Sequence, residues 1–170
     1  MYKDLIEQAE HLVYRDPRKP KQANLRRAVS AAYYALFHYL VQEACRTQMG
    51  TQHTVSPHRR ILGRAFGHAN MKKACKPFSG GALPDSLCKG LDTKQVSNDI
   101  RTVATTFVDL QDKRHRADYD LTEPFRRNEA LYLIKTAKRA IETFGNCTAS
   151  DEERRFFLAC LWAWPELSRR

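Results

Sequence analysis

The chain has 170 residues, 42% of them apolar and 28% charged, with only 7 Gly and 7 Pro, which suits one globular domain and argues against a loop-rich or disordered chain. Lys and Arg number 29 against 19 Asp and Glu, a net charge of +10; that excess makes a polyanion such as RNA or DNA the natural partner to consider, beside the plainer reading of a basic surface with no specific ligand. The 5 cysteines are odd in number and form no C-x-x-C pair, so reduced, mostly buried thiols in a cytoplasmic protein are expected rather than disulfides or a zinc site.

In chain order, MYKDLIEQAEHL is amphipathic and carries acidic residues, so it reads as a helix from about Tyr2 to Tyr14 and not as a signal peptide. Pro17 and Pro20 stop it. A second helix spans about 23 to 48, with Leu25, Val29, Tyr33, Leu36, Leu40 and Cys45 on a broad apolar face. A face that wide needs cover on more than one side. SPHRRILGRAF opens a short basic helix, with Ser56 as its N-cap and Pro57 at its first position. The stretch ACKPFSGGALPDSLCKGLD, punctuated by Pro77, Gly80, Gly81 and Pro84, reads as a long irregular connection.

A fourth helix is expected to start near Asp92 or Thr93. Val96, Ile100, Val103, Phe107 and Leu110 alternate four and three residues apart, a coiled-coil-like seam. The next positions in that register are Arg114 and Ala117. An arginine on an apolar stripe is costly unless paired, so it must have a partner. A fifth helix follows DYDLTEP, with Phe125, Leu131, Ile134, Ala137 or Ile141, and Phe144 as core residues and Gly145 as its stop. Ser150 and Glu153 form a capping box for a sixth, running through Trp164 and ended by Pro165. Its FFLACLWAW segment is too short to span a bilayer. It reads as a docking helix or as a last helix burying Trp162 or Trp164. The fold class is therefore all-α: an antiparallel up-and-down bundle of about four main helices plus short extra ones. Residues 1–145 form the bundle, and residues 146–170 a helical extension packed on the same domain.

Two segments stand out together, RRAVSAAYYALFH (26–38) and RHRADYD (114–120). Their pairing resembles the HEPN superfamily (higher eukaryotes and prokaryotes nucleotide-binding domain), in its prokaryotic branch with YYA-x-FH and R-x-x-A-D-Y-D motifs. The resemblance covers roughly residues 2 to 144. It implies a helical bundle that often dimerises. Many members are metal-independent ribonucleases, toxins or defence proteins among them, whose signature arginine is followed a few residues on by a histidine. Two copies meet in one composite cleft. Others bind nucleic acid or nucleotides without cleaving, or dock a protein partner such as an antitoxin. Carried onto this chain, the arginine is Arg114, and Tyr119 stands where the histidine is expected.

Metal-free RNA cleavage needs a base, an acid and a cation for the phosphorane. Arg114 has the bidentate fork for the last role. A tyrosine is a weak base at neutral pH but a competent donor, so Tyr119 reads as an acid or phosphate donor, or else as an aromatic anchor for the helix corner. His115 points about 100° away from Arg114 and reaches the same cleft only where the helix ends or a partner subunit supplies it. His38 reads as a base or as a hydrogen-bonded core histidine. Tyr33 and Tyr34 read as core or interface residues, with one hydroxyl within reach of the cleft. Asp118 and Asp120 orient Arg114 or simply pair with it. Arg59, Arg60 and Arg64, with Lys113 and Arg116, track RNA phosphates or face solvent. The reading expects no metal, no cofactor and no membrane. It expects a homodimer that binds RNA or a nucleotide, with ribonuclease activity left open. The alternative is a non-catalytic module that binds a protein partner such as an antitoxin.

Overall fold

The structure, a computed structural model, describes residues 1–88 and 95–167. Its fold is all-α: every named element among the described residues is helical, and an isolated antiparallel bridge joins Ala82 to Gln95. The chain divides into two compact units. The first is built from Met1–Tyr39 and Thr106–Glu142, the second from the described residues of 40–105 and 143–170.

The first unit contains α1 (Tyr2–Tyr14), the beginning of α2 (Gln22–Met49), the end of α6 (Asn98–Tyr119) and the beginning of α7 (Arg127–Gly145). Side-chain pairs give the directions. Arg26 meets the backbone of Asp120 just past the end of α6, Ser30 meets Asp118, and Tyr34 meets Arg114. Tyr33 lies 5.6 Å from Phe107, centroid to centroid. Rising numbers on α2 thus match falling numbers on α6, so the two helices are antiparallel. The pairs Tyr2–Tyr39 and Asp16–Asn24 do the same for α1 and α2, and Glu10–Lys138 with Asp16–Arg127 for α1 and α7. The core holds Val13, Leu25, Val29, Tyr33, Leu36, Phe107, Leu110 and Ile134, all nearly or wholly inaccessible. Each such side chain contributes roughly 2 kcal/mol of hydrophobic stabilisation. Alanines 28, 32 and 35 of α2 are also fully buried, and their small size lets neighbouring backbones approach.

The second unit carries the rest of α2, α6 and α7, with a 3-10 turn (His53–Val55), α3 (Ser56–Leu62), a second 3-10 turn (Gly63–Ala65), α4 (His68–Ser79), α5 (Asp85–Cys88) and α8 (Asp151–Leu167). α4 packs against α8. Phe78 and Phe157 meet edge-to-face at 4.9 Å, and Phe144 lies 6.0 Å from Phe157. Cys45, Cys75, Cys88 and Cys160 are free and buried, whereas Cys147 is half-buried. Burial pushes the Cys160 thiol up to about 12.

Several boundaries differ from the sequence expectation. Ser56 does not cap α3: it is the first helical residue, preceded by the 3-10 turn, and no side chain caps that end. The segment read as a long connection is helical through Ser79, with Pro77 inside the last turn. A proline near a helix C-terminus removes one bond but leaves the earlier turns intact. Gly80 closes α4 by donating its N–H to the Lys76 and Pro77 carbonyls. Gly81 has φ +82°, which demands glycine, and the Arg101 guanidinium lies 3.3 Å from where its Cβ would be. The start expected at Asp92 or Thr93 lies outside the described residues, and α6 itself begins at Asn98. α8 runs past Pro165 to Leu167. Ser150 Oγ accepts from the Glu153 N–H as the capping box requires, but the Glu153 carboxylate accepts from the Ser97 N–H instead of turning back. Trp162 is 38% exposed and Trp164 half-buried.

Candidate functional site

The seam of α6 brings Arg114 to the edge of the core. Ile100, Val103, Phe107 and Leu110 are buried, as is Ala117 one turn beyond Arg114. The Arg114 side chain keeps 16% of its surface. Its Nε lies 2.6 Å from Asp118 Oδ2, one turn on along the same face. This contact is an ion pair without the alignment of a hydrogen bond. Nη2 donates to the Tyr34 hydroxyl at 2.9 Å. The guanidinium lies over two rings, 5.4 Å from the Tyr34 centroid and 5.7 Å from that of Tyr119. Burial works against the charge, and Tyr34 with Asp118 outweighs it, so the pKa of Arg114 is held above its already high ordinary value. Asp118 is fixed in turn: its Oδ1 accepts from Ser30 Oγ at 2.5 Å.

An open pocket of about 440 Å³ adjoins this network. Arg26, Arg27 and Arg114 line it, with Tyr34, Asp118 and Tyr119. Three arginines and one aspartate leave a net positive wall. Arg26 has a second task. Its Nη1 donates to the carbonyls of Arg116, Ala117 and Asp120, at 3.2, 3.1 and 2.6 Å, and its Nη2 to that of Glu123 at 2.6 Å. The C-terminal end of a helix carries about half a negative charge. A full cation placed on those carbonyls offsets it, so the helix end does not repel an anion from the pocket. Arg27 is exposed and forms no hydrogen bond or ion pair among the described residues. Its guanidinium is free to take a ligand.

The other candidates fall into three groups. His115 and His38 flank the network without lining the pocket. The His115 ring lies 4.9 Å from Tyr119, and His38 stacks on Tyr34 at 6.1 Å. The order His38, Tyr34, Arg114, Tyr119, His115 is a continuous ladder of rings about one cation. Burial, with the α-amino group of Met1 adding to it, lowers the pKa of His38. Tyr119 is 66% exposed, so it does not pack the helix corner as an anchor would. Phe125, 3% exposed and under the Arg26 guanidinium, fills that place.

The second group is engaged elsewhere. Asp120 does not meet Arg114: its Oδ1 accepts from the Thr122 N–H and hydroxyl, which hold its carboxyl below the usual range. Lys113 pairs with Glu129 at 2.7 Å, and Arg116 pairs with Glu123. The third group belongs to the second unit. Arg59 holds its own loop by donating to the carbonyls of Gly50 and Gln52. Arg60 and Arg64 are exposed. They lie in a stretch, between Glu43 and Asp85, with no acidic residue.

Sequence reasoning did not assign Arg26, Arg27 or Ser30, although the first two open the quoted motif. The free guanidinium of Arg27 leaves no trace in the sequence. Ser30, polar and 1% exposed within an apolar helix, is the one signal available, because a buried hydroxyl needs a partner.

Comparison of the chain with family models, with curated proteins and with solved structures gives no match. No helix among the described residues is long and apolar enough to cross a membrane.

Proposed function

We propose that the chain is an RNA-binding protein and that the pocket between α2 and α6 holds backbone phosphate. The observation that carries this reading is the wall of Arg26, Arg27 and Arg114 against a single carboxylate, with Arg27 unengaged among the described residues. Arginine forks suit phosphate oxygens, and phosphate neutralisation supplies most of the affinity of such proteins. The excess of +10 across the chain acts in the same direction. The likeness of the two motifs to HEPN proteins agrees with it.

Binding is favoured over cleavage. The acid and base of a metal-free ribonuclease must touch the reacting oxygens, and the pocket is lined by tyrosines rather than histidines. His38 and His115 stand one ring further out. The test is a titration of labelled RNA in EDTA, with RNA length followed on a gel. The expected result is salt-sensitive binding of intact RNA, weakened about tenfold or more when Arg27 and Arg114 are both replaced, as expected for losing two charged contacts. Binding indifferent to both changes overturns the reading. Cleavage that disappears with Arg114→Met replaces it with a ribonuclease.

The closed Arg114–Asp118–Ser30 network favours a second reading, in which Arg114 is architectural and the chain docks a protein partner such as an antitoxin. Absence of RNA binding, together with a stoichiometric protein partner, supports that one.

A further inference from the structure

Tyr119 is the ring of the arginine pocket that the fold leaves unused. It ends α6, lines the pocket, and is 66% exposed. Tyr34, the other ring in the pocket wall, accepts from Arg114 and stacks on His38. The Tyr119 hydroxyl, by contrast, forms no hydrogen bond among the described residues. Two neighbours nevertheless hold the ring in position. The Arg114 guanidinium lies 5.7 Å from its centroid, and the imidazole of His115, itself exposed, lies 4.9 Å away. A strongly basic pocket thus has one positioned but largely open aromatic ring in its wall.

A ring in that place bears on which RNA is taken, because phosphate contacts do not separate paired from unpaired strands. Arginines that meet only phosphate favour a duplex, whose charge is denser. In a duplex each base is already stacked between its neighbours and offers no face to a side chain. An unpaired base does offer one, and stacking on aromatic side chains is a general means of holding single strands. Arg114 connects the two kinds of contact. It lines the pocket and also lies over the Tyr119 ring, so a phosphate held by Arg114 and Arg27 has its nucleoside beside that ring.

We infer that Tyr119 is a stacking platform for an unpaired base, which makes the pocket selective for single-stranded over duplex RNA. The inference rests on the RNA-binding reading of the pocket and adds a specificity-determining residue to it. The residue that stands at the histidine position of the resembled motif then serves recognition instead of proton transfer. Every base has a π-face, so sequence preference is weak and follows stacking strength, with the larger purines held more tightly.

Titration of the full chain with three labelled ligands of equal length tests the inference: a single-stranded RNA, the same RNA as a duplex, and a sugar–phosphate strand without bases. The single strand should bind about tenfold more tightly than either of the others. Tyr119→Ala should lose about tenfold on the single strand alone and keep the parent's salt slope, since no charge is removed. Tyr119→Phe should bind as the parent does, because the ring acts and the hydroxyl does not. A single strand carrying 2-aminopurine should lose fluorescence on binding the parent and not on binding Tyr119→Ala. Equal affinity for the three ligands, or a Tyr119→Ala protein that binds the single strand as the parent does, overturns the inference; salt-sensitive binding that still depends on Arg27 and Arg114 then leaves the phosphate pocket standing. A loss in Tyr119→Phe equal to that in Tyr119→Ala overturns it too and makes the hydroxyl a phosphate donor. Binding of none of the three overturns the stacking and the RNA-binding reading together.

Discussion

Asp118 stands 2.6 Å from Arg114 one turn along α6, and Ser30 of α2 holds that carboxylate in place. The pair explains how an arginine occupies an apolar seam: the partner that its burial demands lies on its own helix. It also means that the pocket carries its own competitor for a phosphate. Replacing Asp118 by Asn keeps an oxygen for Ser30 but removes the charge. RNA affinity should rise several-fold in a fluorescence-polarisation titration, because one repulsive charge a few ångströms from phosphate is worth about 1 kcal/mol. Urea unfolding should show a loss of stability of about 1 kcal/mol, as for other partly exposed ion pairs.

Arg26 terminates α6 from another helix. Its four bonds to carbonyls satisfy acceptors that a helix end otherwise leaves to water. Arg26→Met keeps much of the stem and discards the donors. The expected loss in urea unfolding is about 2–3 kcal/mol, since bonds to a charged donor are worth more than neutral ones. Arg26→Lys should recover little of it, because one ammonium cannot reproduce the spread of the fork.

Little of this was legible in the sequence. Backbone carbonyls have no sequence signature, and Arg26 meets them 90 to 97 positions away. The parts that were legible are those set by periodicity. α1 has the limits its spacing predicts, α2 differs by one residue at each end, and the α6 stripe continues from Phe107 through Arg114 to Ala117. α4 escaped because Pro77 and Gly80 read as breaks, while the buried Met71, Ala74, Cys75 and Phe78 share one face. At the site, the stripe of α6 points to Arg114 and to a carboxylate partner in Asp118 or Asp120; Asp118 is that partner, whereas Asp120 goes to its local turn with Thr122, a contact available without any tertiary structure.

His38 gives the protein a pH dependence of definite sign. Burial beside Tyr34 and Phe37 holds its pKa below the ordinary 6.5. The folded state thus favours the neutral ring. Its contribution is complete above the unfolded pKa and is lost as pH falls through the folded one. Urea midpoints measured from pH 8 down to pH 5 should fall across the acid end of that window. His38→Gln, which cannot take a proton, should flatten the slope there, whatever its effect on stability at neutral pH.

The arginine pocket is the central claim, and the salt dependence of RNA affinity tests it most directly. Arg27 is the residue to change, because it is exposed and has no hydrogen-bond or ion-pair partner among the described residues, so Arg27→Ala leaves the fold alone. For single-stranded RNA, each phosphate contact adds about 0.7 to the slope of log K against log salt. The account predicts a slope shallower by about that amount in the variant, with weaker binding at every salt concentration. An Arg27→Ala protein with the parent's slope and the parent's affinity contradicts it.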